Sequence, residues 1–418
     1  MSDHPNLEDL YRKDLILTLS RELRKGTRDF DRLVRSAEGA YPSDVLAVLK
    51  YLGADGGIGQ TVSENWQCRA EASPAGRIVC AERVPMRGDV VRFPEPHPLD
   101  FDWRFTASTL DVLCRHLELD SRPCVAVLGA PTLYKHLIDA AVNATLFDKN
   151  TQVVATLREQ GYRSATECDL FDFRMNDPCF DCVIADPPWY LEHYRAFLQA
   201  TYAMLVPGGT LLMSVLPRLT RPSASSDRQE IVNVAARLGL DLVQVSAGAL
   251  RYESPPFEAE ALRADNLTVG QWRRGDLYSF VRRPTRQRKR KRHPKKPSDQ
   301  EAWACVPYSG MTIKIKLGNA DASEPFEFKA ASLTGELRLR SVSRRSPVRS
   351  RINFWTSRNL ALTITKPEMT VQVLNKLARG ESAQDVLPLV AYEYQLSETE
   401  LNRLHGLVEL LDSEARLA

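Results

Sequence analysis

No stretch of eighteen consecutive apolar residues occurs in the 418-residue chain, so the sequence offers no helix built to cross a bilayer. The opening residues, Met1-Ser2-Asp3-His4, lack the charged-then-apolar pattern of a secretory leader. The eight cysteines have no close, regular spacing, which argues against a disulfide framework and for a reduced, cytoplasmic protein. Cys179 and Cys182 form a CxxC, but neither a second CxxC nor a suitably spaced histidine pair completes a zinc site. The sequence therefore implies no metal, and the cysteines at the start of an apolar run read as small apolar residues. The seven histidines are scattered, and no internal repeat is present. A chain of this length fits two or three domains of about 150 residues each.

The net charge of +3 conceals an asymmetry. Ten basic residues between Arg282 and Lys296, among them Arg288, Lys289 and Arg290, fall in one segment with Pro284, Pro294 and Pro297. Residues 284–300 read as a basic linker. Such a cluster attracts phosphate backbones, and the same composition suits a solvated linker or a localisation signal.

Residues 1–86 read as a first domain. Leucines and valines recur at helical spacing in three short stretches between Asn6 and Gly53. Two strand-like stretches follow at 60–69 and 76–83. Three helices and a hairpin make a winged-helix-like arrangement, with packing or dimerisation as likely a task as DNA reading.

From about residue 87 to 283 strand and helix patterns alternate, which argues for an α/β domain with an open parallel sheet. Strands are expected at 124–128, 145–147, 165–167, 180–185 and 210–215. A terminal pair is expected at 240–245 and 277–281, with helices between. Residues 301–418 read as an α+β domain, with strands at 311–317, 326–330, 333–341 and 360–365 and three helices after them.

The run Phe180-Asp181-Cys182-Val183-Ile184-Ala185-Asp186-Pro187-Pro188-Trp189-Tyr190 is the most informative stretch. A buried-type strand leads directly into an acid, two prolines and an aromatic. The exocyclic amine of adenine is a weak nucleophile, because its lone pair is delocalised into the ring. A carboxylate (Asp186) and a backbone carbonyl (Pro187) can accept its two N–H bonds and localise that pair. Proline fixes φ, so the carbonyl is aimed in advance. Trp189 offers a stacking face worth about 1–3 kcal/mol per base. Tyr190 shapes the same pocket. A base gripped this way is unpaired or flipped out of its helix. The plainer alternative is a strand-to-loop turn in which Pro187-Pro188 stops the sheet.

These residues resemble motif IV of the amino-methyltransferases that modify adenine at N6, in which Asp, Asn or Ser precedes Pro-Pro and an aromatic. The surrounding 87–283 region resembles the Rossmann-like class I S-adenosylmethionine-dependent methyltransferase fold over its whole length. The resemblance implies S-adenosyl-L-methionine as cofactor and DNA or RNA as substrate. It assigns Asp186, Pro187, Pro188 and Trp189 to catalysis. It also places cofactor contacts at Gly129, at Asp148 for ribose, at Asp169 for the cofactor adenine, and at Phe105 and Thr106 upstream. Where the family usually carries a second glycine two residues after the first, this chain has Pro131. Each acid also fits a solvated strand end, and Thr106 or Ser108 also fits a helix cap.

The segment order resembles the gamma arrangement of adenine methyltransferases, with the recognition domain last. That would give 301–418 the choice of substrate or the docking of a protein partner. The tail also bears a weak resemblance to small winged-helix peptide-binding modules. Ser254-Pro255-Pro256-Phe257 repeats the Pro-Pro-aromatic pattern without a preceding strand and reads as an ordered loop, with Phe257 lining the substrate cleft. Nearby Tyr252, Trp272, Arg273 and Arg274 suit a nucleotide clamp, and Trp272 equally a cap on the fold. Two other readings compete. The layout is also similar to the branched-chain polyamine synthases, which place acids after the first glycine, whereas Ala130-Pro131-Thr132 stand here. Protein-amine methylation uses a similar motif, and a methyltransferase-like scaffold without activity is the non-enzymatic option.

Overall fold

The computed structural model describes residues 6–26, 28–54, 93–117, 123–175, 177–284, 302–318, 324–344 and 346–416, and the backbone of 58–60 and 66–68. Two compact units result. The first joins Met1–Phe93, Arg104–Ser254 and Val269–Lys296. The second joins Pro94–Trp103, Pro255–Thr268 and Pro297–Ala418.

The chain begins with helices α1 (Leu7–Leu23), α2 (Phe30–Ser36) and α3 (Pro42–Ala54), then the strand pair β1 (Ile58–Gln60) and β2 (Trp66–Cys68). The side chains of Asn6 and Asp29 cap α1 and α2 by accepting the N–H groups of Glu8 and Arg32, which satisfies donors that a helix start leaves open. Leu15, Leu19 and Leu23 of α1 are buried at the helical period. The three helices match the sequence reading. The hairpin pairs Ile58 with Cys68 and Gln60 with Trp66, earlier in the chain than expected, and the stretch at 76–83 lies outside the described residues.

The central domain follows in the order α4 (Ala107–Arg115), β3 (Val125–Leu128), α5 (Pro131–Asp139), β4 (Ala144–Asp148), α6 (Thr151–Glu159), β5 (Ala165–Glu167), β6 (Phe180–Ala185), α7 (Leu191–Met204), β7 (Leu205–Val215), α8 (Ala224–Leu238) and β8 (Leu240–Arg251). After α9 (Pro256–Ala264), which belongs to the second unit, β9 (Arg274–Arg282) completes the sheet. The strand order is β5-β4-β3-β6-β7-β9-β8. Strands β3 to β7 are parallel, β9 is antiparallel to β7, and β8 is antiparallel to β9. Every residue of β3 is buried, as expected of a strand covered on both faces. Chain progression reverses between β3 and β6, and open α/β sheets bind ligands beyond the carboxyl ends at such a reversal. Gly129 and Asp186 sit there, at the ends of β3 and β6.

The second unit carries an antiparallel sheet of β10 (Trp303–Tyr308), β11 (Met311–Lys316), β12 (Phe328–Ala330), β13 (Phe354–Thr356) and β14 (Ala361–Ile364), in the order β10-β11-β13-β14-β12, with helices α10 (Pro367–Ala378), α11 (Ala383–Glu393) and α12 (Glu398–Arg416). Three expectations are corrected here. Residues 333–341 form no strand, only a bridge from Arg338 to Leu360, and the Arg338 side chain pairs with Glu260 and Glu414. Strands β10 and β13 went unread; β13 is three residues long, too short to show a period. The loop expected after Ser254 is helix α9, started by Pro256 in the first turn, where the missing N–H costs nothing.

Pro94–Trp103, which precedes Phe105 and Thr106 in the chain, packs into the second unit. His97 is 1% exposed. Its Nδ1 accepts the Leu99 N–H, so Nε2 carries the proton and donates to the Trp355 carbonyl. Charging the ring would set two N–H groups against each other. Burial, then the Lys314 charge, bring its pKa down to about 3. A folded pKa below the unfolded value gives stability that is complete above about pH 6.5 and lost as pH falls toward the folded value. Urea unfolding of the intact chain should therefore lose about 2 kcal/mol between pH 7 and pH 5 from this group. His97→Asn should flatten that slope.

Candidate active site

The site is built around Asp186, the residue that follows β6. Its N–H donates to the Leu128 carbonyl at 3.0 Å, which continues the β3–β6 ladder past the last strand residue and fixes the backbone. Gly129 follows Leu128 at φ +67°, and a Cβ there would stand 3.2 Å from the Asp186 carbonyl oxygen. Only glycine accepts both the left-handed backbone and that approach. The cofactor-type turn and the Asp-Pro-Pro segment are thus two walls in direct contact.

The carboxylate is oriented by a residue that the motif does not contain. Tyr252 Oη donates to Asp186 Oδ1 at 2.7 Å. Since that proton is committed, Ser214 Oγ donates to Tyr252 Oη at 2.6 Å. Tyr252 is 2% exposed. Burial, then the negative charge of Asp186, hold its phenol well above the ordinary tyrosine range, so it remains a donor. Ser214 comes from β7 and Tyr252 from the residue after β8. Gly275 of β9 keeps this corner open, since a Cβ there would stand 3.1 Å from Ser214 Oγ and 3.3 Å from the Tyr252 ring. Sequence reading named Tyr252 only as part of a nucleotide clamp. Nothing in the sequence shows that strands β7, β8 and β9 bring it to Asp186.

The Pro-Pro-Trp segment is held from the other side. Pro187 is buried. Among the described residues its carbonyl accepts no hydrogen bond, whereas the Pro188 carbonyl accepts the Tyr190 N–H at 2.6 Å. Arg221 donates to the Trp189 carbonyl, is itself anchored by Asp227 at 2.8 Å, and lies over the Tyr190 ring. The Trp189 ring meets Tyr252 edge-on at 5.9 Å. The Arg273 guanidinium lies 5.2 Å from the Trp189 centroid and 4.9 Å from that of Trp272. Trp189 is half-buried, with one partner set by an aromatic edge and another by a cation.

The remaining sequence candidates fall at distinct places. Asp148 ends β4, and its Oδ1 accepts the Asn150 N–H at 2.8 Å; Asp169 Oδ1 accepts the Phe171 N–H at 3.0 Å after β5. Both acids are half-buried at the same sheet edge as Gly129. Phe105 is 5% exposed and stacks at 5.0 Å on Tyr252, so it backs the tyrosine. Thr106 is the N-cap of α4 and bonds its backbone to Arg251. Phe257 is 1% exposed and edge-on to Trp103 within the second unit, which gives it a packing role and corrects its assignment to the substrate cleft. Trp272 is 3% exposed and edge-on to Tyr41, the fold-capping alternative. Arg288, Lys289 and Arg290 lie outside the described residues.

The cofactor-type turn accommodates Pro131 without distortion. Pro131 opens α5 at its first position, where proline's fixed φ is suited and its missing N–H is one that no helix satisfies. No side chain caps the first turn of α5, and the open N–H groups of a helix start suit a carboxylate. Together with the Gly129 approach and the strand-end acids Asp148 and Asp169, this donor set suits S-adenosylmethionine.

Residues 102–239 match the family model described as probable N6-adenine methyltransferase. The matched segment is thus that of an S-adenosylmethionine-dependent methyltransferase, and within that class it is similar to the probable N6-adenine methyltransferase family. It spans about a third of the chain and holds Gly129, Asp148, Asp169, Asp186, Trp189 and Ser214, but not Tyr252. No curated protein matches the chain. Among solved structures the chain is similar to the branched-chain polyamine synthase of Thermus thermophilus bound to N4-aminopropylspermidine and 5'-methylthioadenosine, at 17% identity over 69% of this chain and 91% of that one, with TM-score 0.47. It is also similar to the N-methyltransferase NodS of Bradyrhizobium japonicum WM9 with S-adenosyl-L-homocysteine, at 15% identity over 41% and 85%, TM-score 0.29. TrmN of Thermus thermophilus is a third, at 17% over 41% and 48%, TM-score 0.28.

Two substitutions test the site. Tyr252→Phe should leave S-adenosylmethionine binding within about twofold and lower the rate of methyl transfer about tenfold or more, the value of one charge-assisted hydrogen bond. Single-turnover kinetics beside calorimetric titration separates the two effects. Gly129→Ala should weaken cofactor binding and cost about 1–2 kcal/mol of stability for the left-handed backbone alone, read as a lowered melting temperature.

Proposed function

We propose that this enzyme transfers the methyl group of S-adenosylmethionine to the exocyclic N6 amine of adenine in DNA or RNA. The observation that carries the reading is the pairing of an oriented carboxylate, Asp186, with the Pro187 carbonyl beside a half-buried tryptophan. Two acceptors on one rigid turn suit an amine with two N–H bonds, and Trp189 suits a planar ring. S-adenosylmethionine supplies an electrophilic methyl on a sulfonium. Asp186 and Pro187 localise the nitrogen lone pair, and the Gly129 turn lets donor and acceptor sites lie against each other. Rate then comes from proximity and alignment. No general base is required, since the methylated amine sheds its proton readily.

Flanking parts fit the same reading. The three N-terminal helices and hairpin suit a winged-helix-like module, and the second unit suits substrate choice or the docking of a protein partner. The basic segment around Arg288, Lys289 and Arg290 suits a phosphate backbone.

Asp186→Ala should fold, bind S-adenosylmethionine as the native chain does, and lose methylation of nucleic acid by about a hundredfold or more. Tritiated methyl transfer to DNA, RNA and protein pools is the measurement. Equal labelling by both chains, or labelling confined to protein, would overturn the reading.

A further inference from the structure

A group of arginines at the rim of the same sheet has no task in the chemistry above. Strand β7 ends level with the start of β9, where Val215 pairs with Asp276. One step further out, Arg251 of β8 and Arg274 of β9 are direct cross-strand partners. Like charges placed opposite one another in a sheet destabilise it. Neighbouring residues of a strand face opposite sides, so Tyr252 and Arg273 face the Asp186 pocket while Arg251 and Arg274 form the outer side of the same rim. Helix α2 reaches this rim: Asp31 Oδ2 lies 3.7 Å from the position of a Cβ on Gly270, and Arg35 stands one turn on from Asp31.

The carboxylates nearby do not neutralise the group. Asp276 is 4% exposed and accepts from Arg228 and from the Gly248 N–H. Asp31 faces Arg35 at 3.8 Å, a long contact with both side chains partly in solvent. Among the described residues neither Arg251 nor Arg274 has an ion-pair partner, and Arg274 Nε is buried without a hydrogen bond. Gly248, at φ +60°, lies against the Arg274 side chain, where a Cβ would be 3.7 Å from Cδ. Burial, then the charges of Arg251 and Arg35, hold the Arg274 guanidinium below its ordinary range. Two arginines opposite one another across the strands, a third close enough to act on Arg274, and a donor left open describe a place that an anion completes.

We propose that Arg35, Arg251 and Arg274 form a seat for a phosphate of the substrate strand, a phosphodiester of single-stranded nucleic acid whose adenine enters the Asp186 pocket. Planar forked donors suit phosphate oxygens. The seat rests on the reading of the pocket as an adenine site, yet it makes a separate demand. A polyamine or a basic peptide would meet repulsion here, whereas a nucleotide needs a cation at this rim. All three arginines lie outside the family segment that contains Asp186.

The test is fluorescence anisotropy of a labelled twelve-nucleotide adenine-containing single strand on the full chain, between 50 and 200 mM KCl. Arg251→Gln with Arg274→Gln should weaken binding about tenfold or more, the loss of one charge-assisted contact. It should also make the slope of log Kd against log salt shallower by about 0.7, the value for one phosphate of a single strand. The basic linker remains in both chains and supplies the residual affinity. Removing a repulsive pair should leave the melting temperature unchanged or higher at low salt, and Arg274→Lys, which keeps the charge and loses the fork, should keep the salt slope with an affinity between those of the two chains, which separates the seat from a folding effect. Competition by adenosine 5'-monophosphate and not by adenosine would place a terminal phosphate on the seat. Competition by an unlabelled strand alone would place an internal phosphodiester there. Equal affinity and equal salt slope in both chains would overturn the proposal, as would an acidic peptide binding as tightly as the strand through the same arginines. If the strand binds through the arginines but receives no methyl group, the seat stands and the adenine assignment falls.

Discussion

The structure depends on one partly buried hydrogen bond, from the Tyr252 hydroxyl to the Asp186 carboxylate. A carboxylate at the mouth of a strand has several rotamers and water to solvate it. Here the choice of rotamer is removed by a phenol that is itself aimed by Ser214 and backed by Phe105. Those groups come from β7, from the residue after β8 and from the segment just before α4. The backbone of the same residue is tied to β3 on the other side. Asp186 is thus oriented before any substrate arrives, and preorganised groups cost no rearrangement at the moment of reaction.

The close approach of Gly129 to Asp186 explains why the fold can place two reactants against each other. In an open α/β sheet the loops after the two central strands diverge to opposite faces and leave a crevice. Here the floor of that crevice is backbone on backbone, 3.2 Å from where a Cβ would stand. Arg221 closes the outer wall by holding the Trp189 carbonyl and lying over Tyr190. Asp148 and Asp169 mark the far edge of the same crevice.

Much of the central domain was legible in the sequence because its middle strands β3 and β6 are mostly apolar and buried and its helices show a 3.6-residue period. Strands β3 to β6 lie within a residue of their expected bounds. The motif at Asp186 was legible for a different reason: its residue types are dictated by chemistry and are contiguous. Tyr252 was not, since its partner is 66 residues away and only the β7-β9-β8 order unites them. The second unit was read less well. It gathers Pro94–Trp103 and Pro255–Thr268 from inside the first unit's sequence, and a linear reading assigns such insertions to the domain that surrounds them. Phe257 was misplaced for that reason. Pro131 looked like a departure from the glycine pattern, yet at the first position of α5 it is a good helix starter.

The central claim is that Asp186 and the Pro187 carbonyl together grip an exocyclic amine. The most direct measurement is a crystal structure of the protein with S-adenosyl-L-homocysteine and an adenine nucleotide. The claim predicts the N6 nitrogen about 3 Å from both a carboxylate oxygen of Asp186 and the Pro187 carbonyl oxygen, with the ring against Trp189. An adenine bound elsewhere, with the Asp186 carboxylate facing no nitrogen, would contradict it.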